Sequence, residues 1–210
     1  MADYKTPGVY VEEITTLPPS VGQVPTAIPA FIGYTEKAER AGKSLHNTPR
    51  HISSLLEYHE MFGRGPNYGT IKVTYDTKGK RVANVEFNRM FFIYDTIRMF
   101  FANGGGECYI VSTGKYKKDD KSDNDVTMEA LEAGINACEK EDHPTMLICP
   151  DAMLLKKKDQ AYSLQQLMLK QCAMLQDRVA ILDVFDGHVD RADADVILDF
   201  RNGVGINYLK

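Results

Sequence analysis

The chain has 210 residues, 43% of them hydrophobic and 26% charged, which is enough apolar surface for a real core in one or two domains and excludes a disordered tail. Its formal net charge is -4 at pH 7 with a pI of about 5.8, so no global basic field draws it to nucleic acid or to an anionic membrane. No apolar run approaches the ~20 residues that cross a bilayer, and Met1-Ala2-Asp3-Tyr4-Lys5 resembles no leader, so the reading is a soluble protein made in the cytosol.

Residues 4–14 open with Thr6-Pro7-Gly8 and continue Val9-Tyr10-Val11-Glu12-Glu13-Ile14, a short alternating stretch rich in β-formers. It reads as an extended arm. Pro18, Pro19, Pro25 and Pro29 follow, each removing a donor and fixing φ, so this stretch is a tether and not a central strand or helix. Residues 1–24 are therefore read as arm and tether, and 25–210 as the folded body.

Ala30-Phe31-Ile32-Gly33-Tyr34 suits a buried strand, ended by the polar stretch 35–43. Ser53 is placed to cap a helix carrying Leu55, Leu56, Tyr58, Met61 and Phe62, with Gly63 as its stop. The period then changes to two. Ile71, Val73 and Tyr75 alternate with polar residues, 76–80 supply turn chemistry, and Val85 and Phe87 alternate on the return. This predicts a hairpin, an exposed elaboration inserted at about 66–88.

Between 90 and 103, Phe91, Tyr94, Ile97, Arg98 and Phe101 recur at steps of three or four, with Ile93 and Phe100 broadening the stripe into a heavily buried helix. Asn103-Gly104-Gly105-Gly106 ends it, and a strand follows over 107–112. Residues 115–125 hold no apolar residue except Tyr116 and read as a solvated, mobile loop. Beyond it come a helix over 127–140, a strand over 145–149, a helix over 161–175, a strand over 179–184, and a helix over about 192–202 stopped by Gly203. Strands alternating with long helices imply right-handed crossovers, so the fold class is α/β with a mostly parallel sheet flanked by helices.

Several motifs resemble chemistry without carrying it. A phosphate-binding glycine loop follows a strand and opens a helix, whereas 103–106 follow a helix and open a strand, so they meet a negative helix end and read as a left-handed cap and tight turn. Asp151 sits at the C-terminal end of a strand, where α/β enzymes place catalytic groups, but it has no visible nucleophile, metal cluster or second acid beside it and reads as a cap or turn residue. Asp177-Arg178 is either a local ion pair or a contact between subunits. His46, His51, His59, His143 and His188 show no ligand spacing, and Cys108, Cys138, Cys149 and Cys172 form no C-x-x-C pair and read as buried reduced thiols. Asp119, Asp123 and Asp125 fail as a calcium loop because Lys121 takes the third ligand place and Asn124 the glycine's. The expectation is no catalytic residue, no cofactor and no metal. The arm, having no sheet partner near it in sequence, either adds a strand to another subunit's open edge or folds back on its own domain.

Five stretches in order carry a resemblance: Tyr4-Lys5-Thr6-Pro7-Gly8-Val9-Tyr10-Val11-Glu12-Glu13; Pro25-Thr26-Ala27-Ile28-Pro29-Ala30-Phe31-Ile32-Gly33-Tyr34-Thr35; Phe100-Phe101-Ala102-Asn103-Gly104-Gly105-Gly106-Glu107-Cys108-Tyr109; Cys149-Pro150-Asp151-Ala152; and Gln171-Cys172-Ala173 with Asp177-Arg178. With these residues the chain resembles the sheath proteins of contractile phage tails, R-type pyocins and extracellular contractile injection systems. The hairpin region and the charged loop match nothing in that pattern.

The resemblance implies a structural subunit that polymerises helically around an inner tube and contracts to drive the tube through a target envelope. Its implied partners are other copies of itself, the inner tube protein, and baseplate and terminator or cap proteins, with no nucleic acid and no direct membrane insertion. Assembly is implied in the bacterial cytoplasm, as part of a phage tail or a released tail-like particle. Carried onto this chain, the intersubunit linking strand is Val9, Tyr10, Val11, Glu12, Glu13 and Ile14. Family members are longer, so the chain is expected to be an N-terminal part whose C-terminal remainder is absent. Two alternatives stay open: a baseplate- or cap-adjacent sheath paralogue, and a doubly wound α/β enzyme with a site near Asp151.

Overall fold

The apolar run after the prolines becomes the centre of the sheet. In the computed structural model, which describes residues 27–67, 72–76, 79, 81–86, 91–117, 125–188 and 195–205, Pro29–Thr35 forms β1 and all seven of its residues are buried. A strand covered on both faces needs apolar side chains in both phases, and Ala30-Phe31-Ile32 supplies them. The proposed linking residues 9–14 lie outside the described residues.

The stretch 35–43, expected only as a polar stop, instead contains a small antiparallel ribbon, β2 (Glu39–Arg40) and β3 (Lys43–Ser44), turned by Ala41 and Gly42 at φ of 49° and 75°. It leads to β4 (Arg50–Ile52), which the sequence reading also missed; of its three residues only Ile52 is buried, too short a pattern to show period two. Helix α1 (Leu55–Phe62) is capped one residue later than expected. Ser54 is the N-cap and its hydroxyl accepts from the Glu57 N–H, while the Ser53 N–H donates back to the Glu57 carboxylate at 2.7 Å. Gly63 stops the helix as expected, with φ 84° and its N–H donating to the His59 carbonyl.

The hairpin is present as β5 (Lys72–Tyr75) and β6 (Val82–Glu86), antiparallel to each other in a sheet of their own. Helix α2 (Ile93–Ala102) follows. Its burial is one-sided and not heavy: Ile93 and Ile97 are fully buried, whereas Met99 is 62% exposed. It closes in a Schellman turn, the Gly105 N–H donating to the Phe100 carbonyl and the Gly104 N–H to that of Phe101, with Gly104 at φ 84°.

Strand β7 (Cys108–Lys115) runs further than expected, into the charged stretch. Its register with β1 slips at Gly33/Tyr34, and Tyr116 beyond it is 4% exposed and stacked on Phe91 at 4.7 Å. The entry to the charged stretch is therefore anchored; residues 118–124 lie outside the described residues. Helix α3 (Met128–Ala137) is capped by Thr127 and extended by a short 3-10 turn to Lys140. Strand β8 (Met146–Ile148), a 3-10 turn over Pro150–Leu154, helix α4 (Lys158–Leu175), strand β9 (Val179–Ile181) and helix α5 (Val196–Val204) complete the chain.

Gly203 does not stop α5. It lies inside the helix, where a Cβ would stand 2.1 Å from the Tyr162 ring, and Gly205 at φ 72° is the stop. A glycine near a helix end marked close packing here, not termination.

The main sheet has the order β4-β7-β1-β8-β9, with β7, β1, β8 and β9 parallel and β4 antiparallel on the edge. The fold is thus α/β, with the hairpin as a separate antiparallel sheet. The parallel strands, taken in chain order, step from β1 to β7 on one side and then across β1 to β8 and β9. Reversing that direction places the crossover helices on opposite faces. One face packs Ala30, Ile32 and Val111 against Leu131 and Ile135 of α3 and Leu164 and Met168 of α4. The other packs Phe31 and Ile110 against Ile93 and Ile97 of α2 and Tyr58 and Phe62 of α1.

Candidate functional site

The sheet reverses its winding between β1 and β8, and in open α/β sheets the crevice beyond the C-terminal strand ends at such a point is where a ligand is held. Asp151 stands there, in the turn after β8. It is fully buried. The Tyr34 N–H at the end of β1 donates to its Oδ2 at 2.8 Å, and the Phe92 N–H at the start of α2 donates to Oδ1 at 2.6 Å. Phe92 has no cap of its own, so a carboxylate 59 residues away caps α2 and ties it to β1. Burial pushes the Asp151 carboxyl up to about 6, opposed by the backbone donors of Tyr34, Phe92 and Ile93. A Cβ on Gly33 would meet Oδ2 at 2.5 Å, so glycine there lets β1 pass the carboxylate.

With no exposed oxygen, Asp151 presents nothing to a substrate; it joins three elements. The same holds for Arg178, buried at 5% exposure between α4 and β9. Its Nε and one terminal nitrogen grip Asp177 at 2.7 and 3.1 Å, and the terminal nitrogens reach the carbonyls of Cys138 at 2.9 Å and Glu141 at 2.7 Å. Asp177-Arg178 is therefore a local ion pair that also caps the C-terminal end of α3 and its 3-10 extension. Gln171 of α4 adds a bond to the Ile135 carbonyl at 3.1 Å. None of these long-range partners could be read from spacing.

Beyond Asp151 the strand ends open into a groove of about 620 Å³ between α2 and the segment after β9, with Phe92, Met99 and Met153 as its apolar wall and Asp95, Asp183 and Asp186 on its rim. Asp95 is paired with Arg98 at 3.2 Å. Burial pushes the Asp183 carboxyl up from its ordinary value. The sequence reading named none of these rim residues, because they come from α2 and from a loop nearly ninety positions later. Among the described residues no group of three or more His, Cys, Asp or Glu side chains is placed to hold a metal ion. The four cysteines are free; Cys108, Cys138 and Cys149 are buried and Cys172 is half-buried. Burial pushes the Cys108 and Cys138 thiols up to about 12, and raises Cys149 as well, which makes them poor nucleophiles.

No protein-family model matches the chain, and no curated protein matches it. Among solved structures it is similar to a chain of the anti-feeding prophage (AFP) helical sheath in the contracted state, determined by cryo-EM, with a TM-score of 0.46 and 19% sequence identity. The similarity covers 89% of this chain and 41% of that one, so this chain spans about two fifths of the sheath chain's length.

Proposed function

We propose that this chain is part of a contractile tail sheath subunit, a structural protein that polymerises helically around an inner tube. The observation that carries the reading is where the sheath-like stretches fall in the fold. From the second stretch Pro29–Thr35 forms β1, with Gly33 in it; Phe100 to Tyr109 supplies the Schellman turn and the start of β7. Cys149 to Ala152 supplies the Asp151 junction, and Gln171 with Asp177-Arg178 supplies the clamp between α4, α3 and β9. The first is the central strand and the other three sit at junctions between elements. A body braced this way suits a rigid unit that reorients as a whole.

In this reading Val9, Tyr10, Val11, Glu12, Glu13 and Ile14 add a strand to a neighbouring copy, the tether through Pro18 and Pro19 gives reach, and contraction releases a metastable assembly. The partners are other copies, the inner tube protein, and baseplate and cap proteins; assembly takes place in the bacterial cytoplasm, and the product is a component of a phage tail or tail-like particle. Among the described residues no helix is long and apolar enough to cross a membrane. Deletion of residues 1–14 tests the proposal: polymers seen by electron microscopy are lost while the body keeps its thermal unfolding midpoint. Unchanged polymers remove the linking role of the arm.

A further inference from the structure

A parallel sheet is ordinarily covered on both faces, and among the described residues one face here is covered only in part. Helices α1 and α2 lie over β4, β7 and β1. Over β8 and β9 the same face carries Val179 at 59% and Ile181 at 47% exposure, with Ile148 beside Ile181 in register, and Met99 of α2 borders it. Two strands span about 10 Å, the width of one further packed element. The bare strip runs into the groove at the strand ends, whose rim holds Asp183 and Asp186. It is apolar along its length and acidic at its end.

The hairpin is likewise apolar but opposite in charge. Every residue of Lys72–Tyr75 is exposed, and Val73, Tyr75, Val82 and Val85 are 42–59% exposed. Residues 72–86 carry Lys72, Lys78, Lys80 and Arg81 against Asp76 and Glu86, so the hairpin is basic where the strip's end is acidic. A two-stranded hairpin is marginal alone in water, and one with apolar side chains in the open gains stability from a surface to cover it.

We propose that the hairpin of one copy docks on the β8–β9 strip of the next, its apolar residues covering Val179, Ile181 and Met99 and its basic residues meeting Asp183 and Asp186. The two surfaces are different patches of one chain, so the contact is head-to-tail, and a head-to-tail contact that does not close into a ring continues as a helical filament. This names one contact between copies within the sheath reading and rests on that reading only for the filament it would join.

The test mixes isotopically light and heavy protein, couples amines to carboxylates with a zero-length carbodiimide reagent, and reads the peptides by mass spectrometry. Mixed-isotope links between the hairpin lysines and Asp183 or Asp186 are expected. Links of single isotope only mean that the hairpin closes on its own body, and no links at all mean no contact; either overturns the inference. Lys72→Glu with Arg81→Glu weakens self-association in sedimentation at least about tenfold, and adding Asp183→Lys with Asp186→Lys recovers most of it. Failure of the charge swap to recover binding, in variants whose thermal unfolding is unchanged, also overturns it. Electron microscopy separates the two readings: sheath-like tubes without these links leave the sheath reading standing and remove this contact, whereas links without tubes do the reverse.

Discussion

Replacing Asp151 by alanine removes, at a fully buried position, the acceptor of the Tyr34 and Phe92 N–H groups. Each orphaned buried donor costs about 1–3 kcal/mol, partly offset by relief of the buried carboxylate, so the net loss near neutral pH is about 3 kcal/mol. For a chain of this size that lowers the thermal midpoint by about 6–12 °C. The pH dependence adds a second reading. The folded carboxyl is pushed up to about 6 from an ordinary 3.8, so between those values the folded protein holds more protons than the unfolded chain, and stability falls as pH rises. The contribution is fully present below about 4 and lost above about 6. At about 1.36 kcal/mol per pH unit, the gap between wild type and Asp151→Ala widens from about 3 kcal/mol at pH 7.5 to about 5 kcal/mol at pH 4.5. Urea melts of both proteins at each pH measure it. A gap that narrows toward acid refutes the argument, because it means the backbone donors outweigh burial and favour the ionised form.

Gly33→Ala drives a Cβ to 2.5 Å from Asp151 Oδ2 and costs about 2–3 kcal/mol, but under about 1 kcal/mol more in an Asp151→Ala background; a double-mutant cycle reads the coupling, and additive losses contradict it. Arg178→Met strands the Cys138 and Glu141 carbonyls and lowers stability by about 2–4 kcal/mol in urea melts, whereas Arg178→Lys, lacking the planar fork, recovers less than half. A thiol reagent labels at most one of the four cysteines in the native protein, the half-buried Cys172, and all four in denaturant; rapid native labelling of Cys108, Cys138 or Cys149 contradicts the packing described.

The strongly periodic segments were legible in the sequence: β1, α1, the hairpin, α3 and α4 lie where apolar spacing puts them. The glycine turn after α2 was also readable, since chain polarity alone argued for a cap and against an anion site. Elements too short to show a period were not readable, which is why β4 and the β2–β3 ribbon were missed. Neither were functions of single residues set by distant partners. Asp151 looked like a turn residue or an enzyme's acid because its partners lie 117 and 59 positions away. Gly203 reads as a stop in the sequence because the Tyr162 ring against it comes from another helix. The exposed side of α2 was missed because its apolar stripe continues through Met99 onto a strip of sheet that no described element covers.

The proposal that this body polymerises as a sheath is tested most directly by electron microscopy of the full gene product expressed with its tube partner. Striated cylinders around the tube, in an extended and a wider contracted form, are expected. Monodisperse monomers beside bare tubes would contradict it.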